Sequence, residues 1–195
     1  MQILDGQLFY SPSDLITFME SPFASHMERM RLHNAKISGL MDDDDPLLKS
    51  LQKRGYAHEE EFLEDLKQHG TSVVTIERAS TDIMLTNTRE AMAAGAEVIA
   101  QAYLTLENFG GLADFLVKVP GDSNLGNFHY EVWDTKLSRK MKPYFAVQLC
   151  CYAEMLSVEQ GIRPENFTIV LGNKEQVQLR VQDYFAYFLS LKSSF

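Results

Sequence analysis

Gly110-Gly111-Leu112-Ala113-Asp114-Phe115-Leu116-Val117, then Tyr130-Glu131-Val132-Trp133-Asp134-Thr135-Lys136, then Gln148-Leu149-Cys150-Cys151-Tyr152 are the stretches around which the chain is organised. The first two read as β-strands, because apolar residues recur at every second position or in short unbroken runs. Alternation puts Asp114 on the face of Leu112 and Leu116, and Asp134 and Lys136 on the face of Phe128, Tyr130 and Val132. Each strand therefore carries a carboxylate among apolar neighbours. Ionised groups are costly there unless a metal ion or an opposite charge compensates them.

Outward from this centre, the order of elements fixes the fold class. Ser11 reads as an N-cap with Pro12 opening a helix that stops before Pro22, and a second helix spans 23–32. Residues 34–45 read as a loop ending in the run Asp42 to Asp45, a solvated acidic segment without the ligand spacing of a calcium loop. A long helix runs from Pro46 to Gln68 with an inward stripe of Leu48, Leu51, Gly55, His58 or Glu59, Phe62 and Leu66, and Gly70 ends it. A strand follows over 71–76. The helix over 81–94 has Ile83, Met84, Thr88, Ala91 and Met92 spaced for burial. Strands over 97–106 and 110–119 are joined by a tight turn, and a polar loop around Gly121 to Gly126 leads to a strand over 128–137. Pro143 opens an amphipathic helix to Gly161. A hairpin (167–171, 177–181) and a helical start over 184–191 close the chain. Helices, a strand, a helix, three strands, a helix and two strands make a mixed α/β fold of the α+β type, a central mixed sheet flanked by helices rather than a repeating β-α-β array. Residues 1–70 form a mainly helical region and 71–195 the sheet-centred core of a single domain.

At 195 residues, with 45% hydrophobic and 23% charged residues, the chain has the composition of an ordinary globular domain. No apolar run reaches membrane-spanning length and the start lacks a signal-peptide pattern. The only cysteines, Cys150 and Cys151, are sequence neighbours rather than a disulfide framework, which points to a reducing, cytoplasmic setting. The net charge of −9 speaks against a protein that coats nucleic acid. Against that trend, Lys136, Arg139, Lys140 and Lys142 cluster after Asp134 as a basic rim able to hold phosphates.

Adjacent strands would bring Asp114 and Asp134 together, and carboxylate oxygens suit Mg2+ or Mn2+. Lys136 would stand beside them. Alone, an Asp-x-Lys tripeptide is an ordinary surface ion pair, and Gln148 and Tyr152, one helical turn apart, read as core. His58 alone reads as a structural histidine.

In order, however, Gly55-Tyr56-Ala57-His58, Gly111-Leu112-Ala113-Asp114, Asp134-Thr135-Lys136, and Gln148 with Tyr152 four later resemble the RecB-type branch of the PD-(D/E)XK nuclease superfamily, with its restriction-endonuclease-like fold. The likeness extends to Ser11-Pro12-Ser13-Asp14-Leu15 and so spans nearly the whole chain. It implies Mg2+- or Mn2+-dependent cleavage of DNA phosphodiester bonds, in single strands or at ends. Asp114 and Asp134 would bind metal, with the Thr135 carbonyl and His58 (or Glu59, which the family's first motif also admits) completing the shell. Lys136 would position the attacking water. Gln148 and Tyr152 would contact substrate or brace the site, and Arg139, Lys140 and Lys142 would contact DNA. Several relatives pin their termini with a four-cysteine iron–sulfur cluster. Ser21 stands where the first such cysteine is expected, so no cluster is expected here. Family members are often modules of larger helicase–nuclease proteins, which makes such domains expected partners and excision from a larger protein one reading of the chain. The competing reading is a catalytically silent DNA-binding or docking module on the same fold.

Overall fold

The computed structural model describes residues 1–4, 6–34, 36–37 and 45–195. Asp42 to Asp44 of the acidic run, and most of the loop expected there, lie outside the described residues. The chain runs β1 (Gln2–Leu4), β2 (Gln7–Phe9), α1 (Pro12–Glu20), α2 (Pro22–His33), α3 (Pro46–Gln68), β3 (Val73–Thr75), α4 (Thr81–Ala93), β4 (Val98–Leu106), β5 (Phe109–Ser123), β6 (Gly126–Lys136), α5 (Pro143–Gln160), β7 (Asn166–Leu171), β8 (Gln176–Arg180) and α6 (Gln182–Ser194). Strands β3 to β8 form a six-stranded sheet in simple sequence order. The pairs β3–β4 and β6–β7, each bridged by a helix, are parallel, and the others are antiparallel. The mixed sheet with flanking helices is thus the observed architecture.

The helix starts follow local chemistry. Ser11 and Asp14 form a reciprocal capping box ahead of Pro12, and Ser21 caps α2 ahead of Pro22. Gly70, Gly95 and Gly161 lie just past α3, α4 and α5 with φ of +83°, +71° and +76°, a left-handed conformation glycine adopts without strain.

One face of the sheet buries the main core. Leu15 of α1, Met84, Ala91 and Met92 of α4, much of α5 and Phe188 of α6 pack there with Ile99, Leu116, Val132 and Ile169. The other face carries a smaller cluster, in which Val98, Ala100 and Phe115 meet Phe62, Leu63 and Leu66 of α3. Phe62 stands edge-on to Phe115, with ring centroids 5.2 Å apart, and stacks 6.4 Å from Trp133.

Several expectations change. To the mainly helical N-terminal region the structure adds a hairpin of β1 and β2, and Tyr10 bridges to Phe109. The α3 stripe fails in its first half, where Leu48 and Leu51 are exposed, because α3 meets the sheet only through its C-terminal half. Ile83 is exposed too. The polar stretch before Gly126 is strand rather than loop, as β5 continues to Ser123 and forms a hairpin with β6. Helix α5 is buried on most of its circumference rather than amphipathic, being roofed by α1 and α6.

A contact that the hydrophobic pattern did not signal closes the edge of β6. Pairing with β7 begins only at Val132, leaving the Tyr130 backbone open on that side. The buried Gln160 side chain fills the gap: its Oε1 accepts from Tyr130 N–H at 2.8 Å and its Nε2 donates to the Tyr130 carbonyl at 3.1 Å. The amide acts as a one-residue strand. Replacing it in Gln160→Leu strands a buried donor and acceptor, and we expect a loss of about 2–4 kcal/mol in urea unfolding. A loss below about 0.5 kcal/mol would show that water takes over both bonds.

Candidate active site

Asp114 lies on β5 and Asp134 on β6, and the strand register brings them to one row. Phe115 pairs with Trp133, so one step further sets Asp114 opposite Asp134. Backbone pairing of these strands stops at that step, and the Asp114 side chain substitutes for it. Its Oδ2 accepts from Thr135 N–H at 2.9 Å and from Thr135 Oγ1 at 3.1 Å. On the other side of β5, the register from Val98–Val117 to Leu106–Phe109 omits one pair, Gln101 and Asp114. The row Gln101, Asp114, Asp134 therefore crosses three strands where the ladders lapse.

Its electrostatics follow from its burial. Asp134 is 2% exposed, and Lys136 Nζ lies 2.7 Å from its Oδ2. Taken alone, Asp-x-Lys reads as a surface ion pair; in the fold Asp134 is buried and Lys136 half-buried, so desolvation offsets part of the attraction. Burial, then the Asp114 charge, pushes the Asp134 carboxyl up to about 7 despite the lysine. Asp114, part of which stays open to solvent, is also raised, first by burial, with Lys136 and the Thr135 bonds opposing. Burial works against the Lys136 ammonium, but Asp134 and Asp114 outweigh it and hold its pKa above the ordinary value. The ammonium also lies 5.5 Å from the Phe145 ring centre.

Helix α3 supplies the next residues, its position fixed by Phe62. Half-buried Glu59, three residues before Phe62, accepts a hydrogen bond from Gln101 Nε2. Burial first, then Asp114, raises its carboxyl to about 7, with Asp134 adding to the effect. His58 is half-buried, and its Nε2 is enclosed without a hydrogen-bond partner among the described residues. Helix α5 supplies the roof. Tyr152 Oη donates to the Leu112 carbonyl at 2.7 Å, and burial followed by Asp114 and Asp134 raises its phenol well above the usual range. Gly111 makes this approach possible, since a Cβ there would lie 3.0 Å from Tyr152 Oη and 3.1 Å from Pro12 Cδ. Gln148, one turn before Tyr152, is half-buried, and its amide has no protein partner among the described residues. Arg139, Lys140 and Lys142 are exposed beyond the end of β6, with no carboxylate within ion-pair distance among the described residues. Cys150 and Cys151 are free, buried thiols, both pushed up to about 12, first by burial.

The fold thus groups Asp114, Asp134, Lys136, Thr135, Glu59 and Tyr152 electrostatically or by direct contact. It brings in two further groups that the sequence did not single out, Gln101 and Arg78, whose Nη2 donates to Gln101 Oε1 at 3.2 Å. Gln101 sits mid-strand with φ +56°, and no local pattern marks it.

The donor set suits a hard divalent cation. Among the described residues no three or more His, Cys, Asp or Glu side chains form a ready cage. Mg2+ is usually held by one or two carboxylates together with substrate phosphates rather than by a full protein shell. The two mutually repelling carboxylates of Asp114 and Asp134 match that pattern.

The charge of Glu59 has a measurable consequence. A carboxyl raised from 4.5 to about 7 on folding destabilises the fold only when ionised, so its cost is complete above about pH 7 and fades toward pH 4.5. In chelator, Glu59→Gln should raise Tm at pH 8 by about 2–4 °C, on the order of 1 kcal/mol after solvent screening, with the gain shrinking as pH falls. A lower Tm at pH 8 would mean that Glu59 does not face the two aspartates. No protein-family model matches the chain, and no curated protein matches it either.

Proposed function

We propose that this chain is a metal-dependent deoxyribonuclease of the RecB type, hydrolysing phosphodiester bonds of single-stranded DNA or DNA ends. One observation carries the reading: two aspartates on adjacent antiparallel strands face each other across a break in the ladder, with a lysine ammonium 2.7 Å from one of them. The order helix, three antiparallel strands, helix, parallel strand in α4 through β7 supports the finer assignment to a restriction-endonuclease-like fold.

In this reading Asp114, Asp134, the Thr135 carbonyl and His58 or Glu59 hold Mg2+ or Mn2+. The ion supplies Lewis acidity toward a phosphate oxygen and a more acidic bound water. The chain's own groups do the rest. Lys136 Nζ, pinned by Asp134, would donate to the attacking water and to a non-bridging phosphate oxygen; the water oxygen bonds to phosphorus in line as the opposite P–O bond breaks, its proton passes to solvent, and the departing oxygen takes a proton from solvent. The Thr135 bonds to Asp114 Oδ2 leave its other oxygen to face the centre. Gln148, free to donate, orients the substrate, while Tyr152 locks α5 onto β5. Arg139, Lys140 and Lys142 hold backbone phosphates and offset the acidity of the rest of the chain.

The net charge of −9 favours a second reading, a silent DNA-binding or docking module. Labelled single- and double-stranded DNA with Mn2+ or Mg2+ separates the two. The parent should cut, and Asp114→Asn and Lys136→Ala should each cut about 100- to 1,000-fold more slowly. Binding without cutting supports the silent module; a variant as fast as the parent overturns the residue assignment. Replacing Arg139, Lys140 and Lys142 by Ala together should lower the salt slope of single-strand affinity by about 2, at roughly 0.7 per lost phosphate contact. An unchanged slope would place the DNA elsewhere.

A further inference from the structure

Gln101 is the one non-glycine residue within a strand, among the described residues, whose φ falls in the left-handed region. The others, Glu107 and Lys174, sit in turns, where such values are common. Gln101 also marks a reversal of β4. Val98 and Ala100 pack into the cluster under α3, whereas Ala102 and Leu104 pack into the main core. In a regular strand these four residues would share one face. The kink falls opposite Asp114, at the pair missing from the ladder.

The side chain shows what the kink achieves. Gln101 Oε1 accepts from Arg78 Nη2, so its Nε2 is turned to donate to Glu59 Oε1. With both ends engaged, the amide has a single orientation. Glu59 is thereby held toward Asp114 and Asp134, although their charges repel it.

We infer that Gln101 is a positioning residue, its left-handed backbone retained so that its amide, oriented by Arg78, fixes Glu59 as the third acidic group of the Asp114–Asp134 centre. The inference rests on the nuclease reading for its metal but concerns only this chain's own residues. A residue in a sparsely populated conformation persists where its surroundings require it, and such residues gather at functional sites. Groups that orient a ligand from behind typically contribute 10- to 100-fold to metal affinity or activity.

Gln101→Gly separates positioning from stability, because glycine accepts this φ freely while deleting the amide. The variant should melt in chelator at or above the parent's temperature. By calorimetry and by Mn2+-induced thermal shift, it should need about 10-fold more Mn2+ for half-saturation, and its cleavage of DNA at subsaturating Mn2+ should fall by about the same factor. Equal Mn2+ affinity in variant and parent, or a lower Tm for the variant in chelator, overturns the role of Gln101 even if the parent cuts DNA. A parent that binds Mn2+ without cutting ends the nuclease reading, while the affinity difference still decides for or against Gln101. A parent that binds no Mn2+ overturns both.

Discussion

Two aspartates confront each other across neighbouring strands in a place with little water, and much of the surrounding structure answers that confrontation. Lys136 neutralises one of them from 2.7 Å, and the Thr135 N–H and hydroxyl hold the other. The residual strain appears in Asp134, still raised to about 7 by burial and by its neighbour. Buried like charges persist in a marginally stable chain only when partners surround them. The row is flanked by apolar packing, with α5 buried on one side and the Phe62–Phe115–Trp133 contact on the other.

The sheet makes room for these groups by giving up hydrogen bonds. Pairing lapses at Gln101 and Asp114 between β4 and β5, and beyond Phe115 and Trp133 between β5 and β6. Where β5 and β6 part, the Asp114 side chain takes up the Thr135 N–H. The same solution appears away from the site, where Gln160 completes the edge of β6 at Tyr130. Satisfying every buried peptide group is a strict condition, and polar side chains meet it where strands part.

Much of this was legible from residue patterns. The capping residue Ser11, the glycines after α3, α4 and α5, and the strand alternation around Asp114 and Asp134 depend on interactions within a few residues. Less legible were features set by distant partners. Leu48 and Leu51 have a helical period but are exposed, and α5 reads as amphipathic but is covered by α1 and α6. The polar stretch Gly121 to Ser123 reads as loop, yet β6 draws it into a hairpin.

The sequence by itself determined the element order, the mixed α/β class and the two carboxylate-bearing strands with a lysine on the second, because periodicity, caps and turns act locally. Only the tertiary structure decided that the buried Asp134 pairs with a half-buried Lys136, that α3 brings Glu59, Phe62, Leu63 and Leu66 rather than Leu48 and Leu51 to the sheet, and that Gln101 and Arg78 stand behind Glu59. The physical reason is that strand register and helix docking set which side chains meet across long sequence separations. A left-handed residue inside a strand leaves no trace in hydrophobic pattern, since its purpose is visible only in what its side chain reaches.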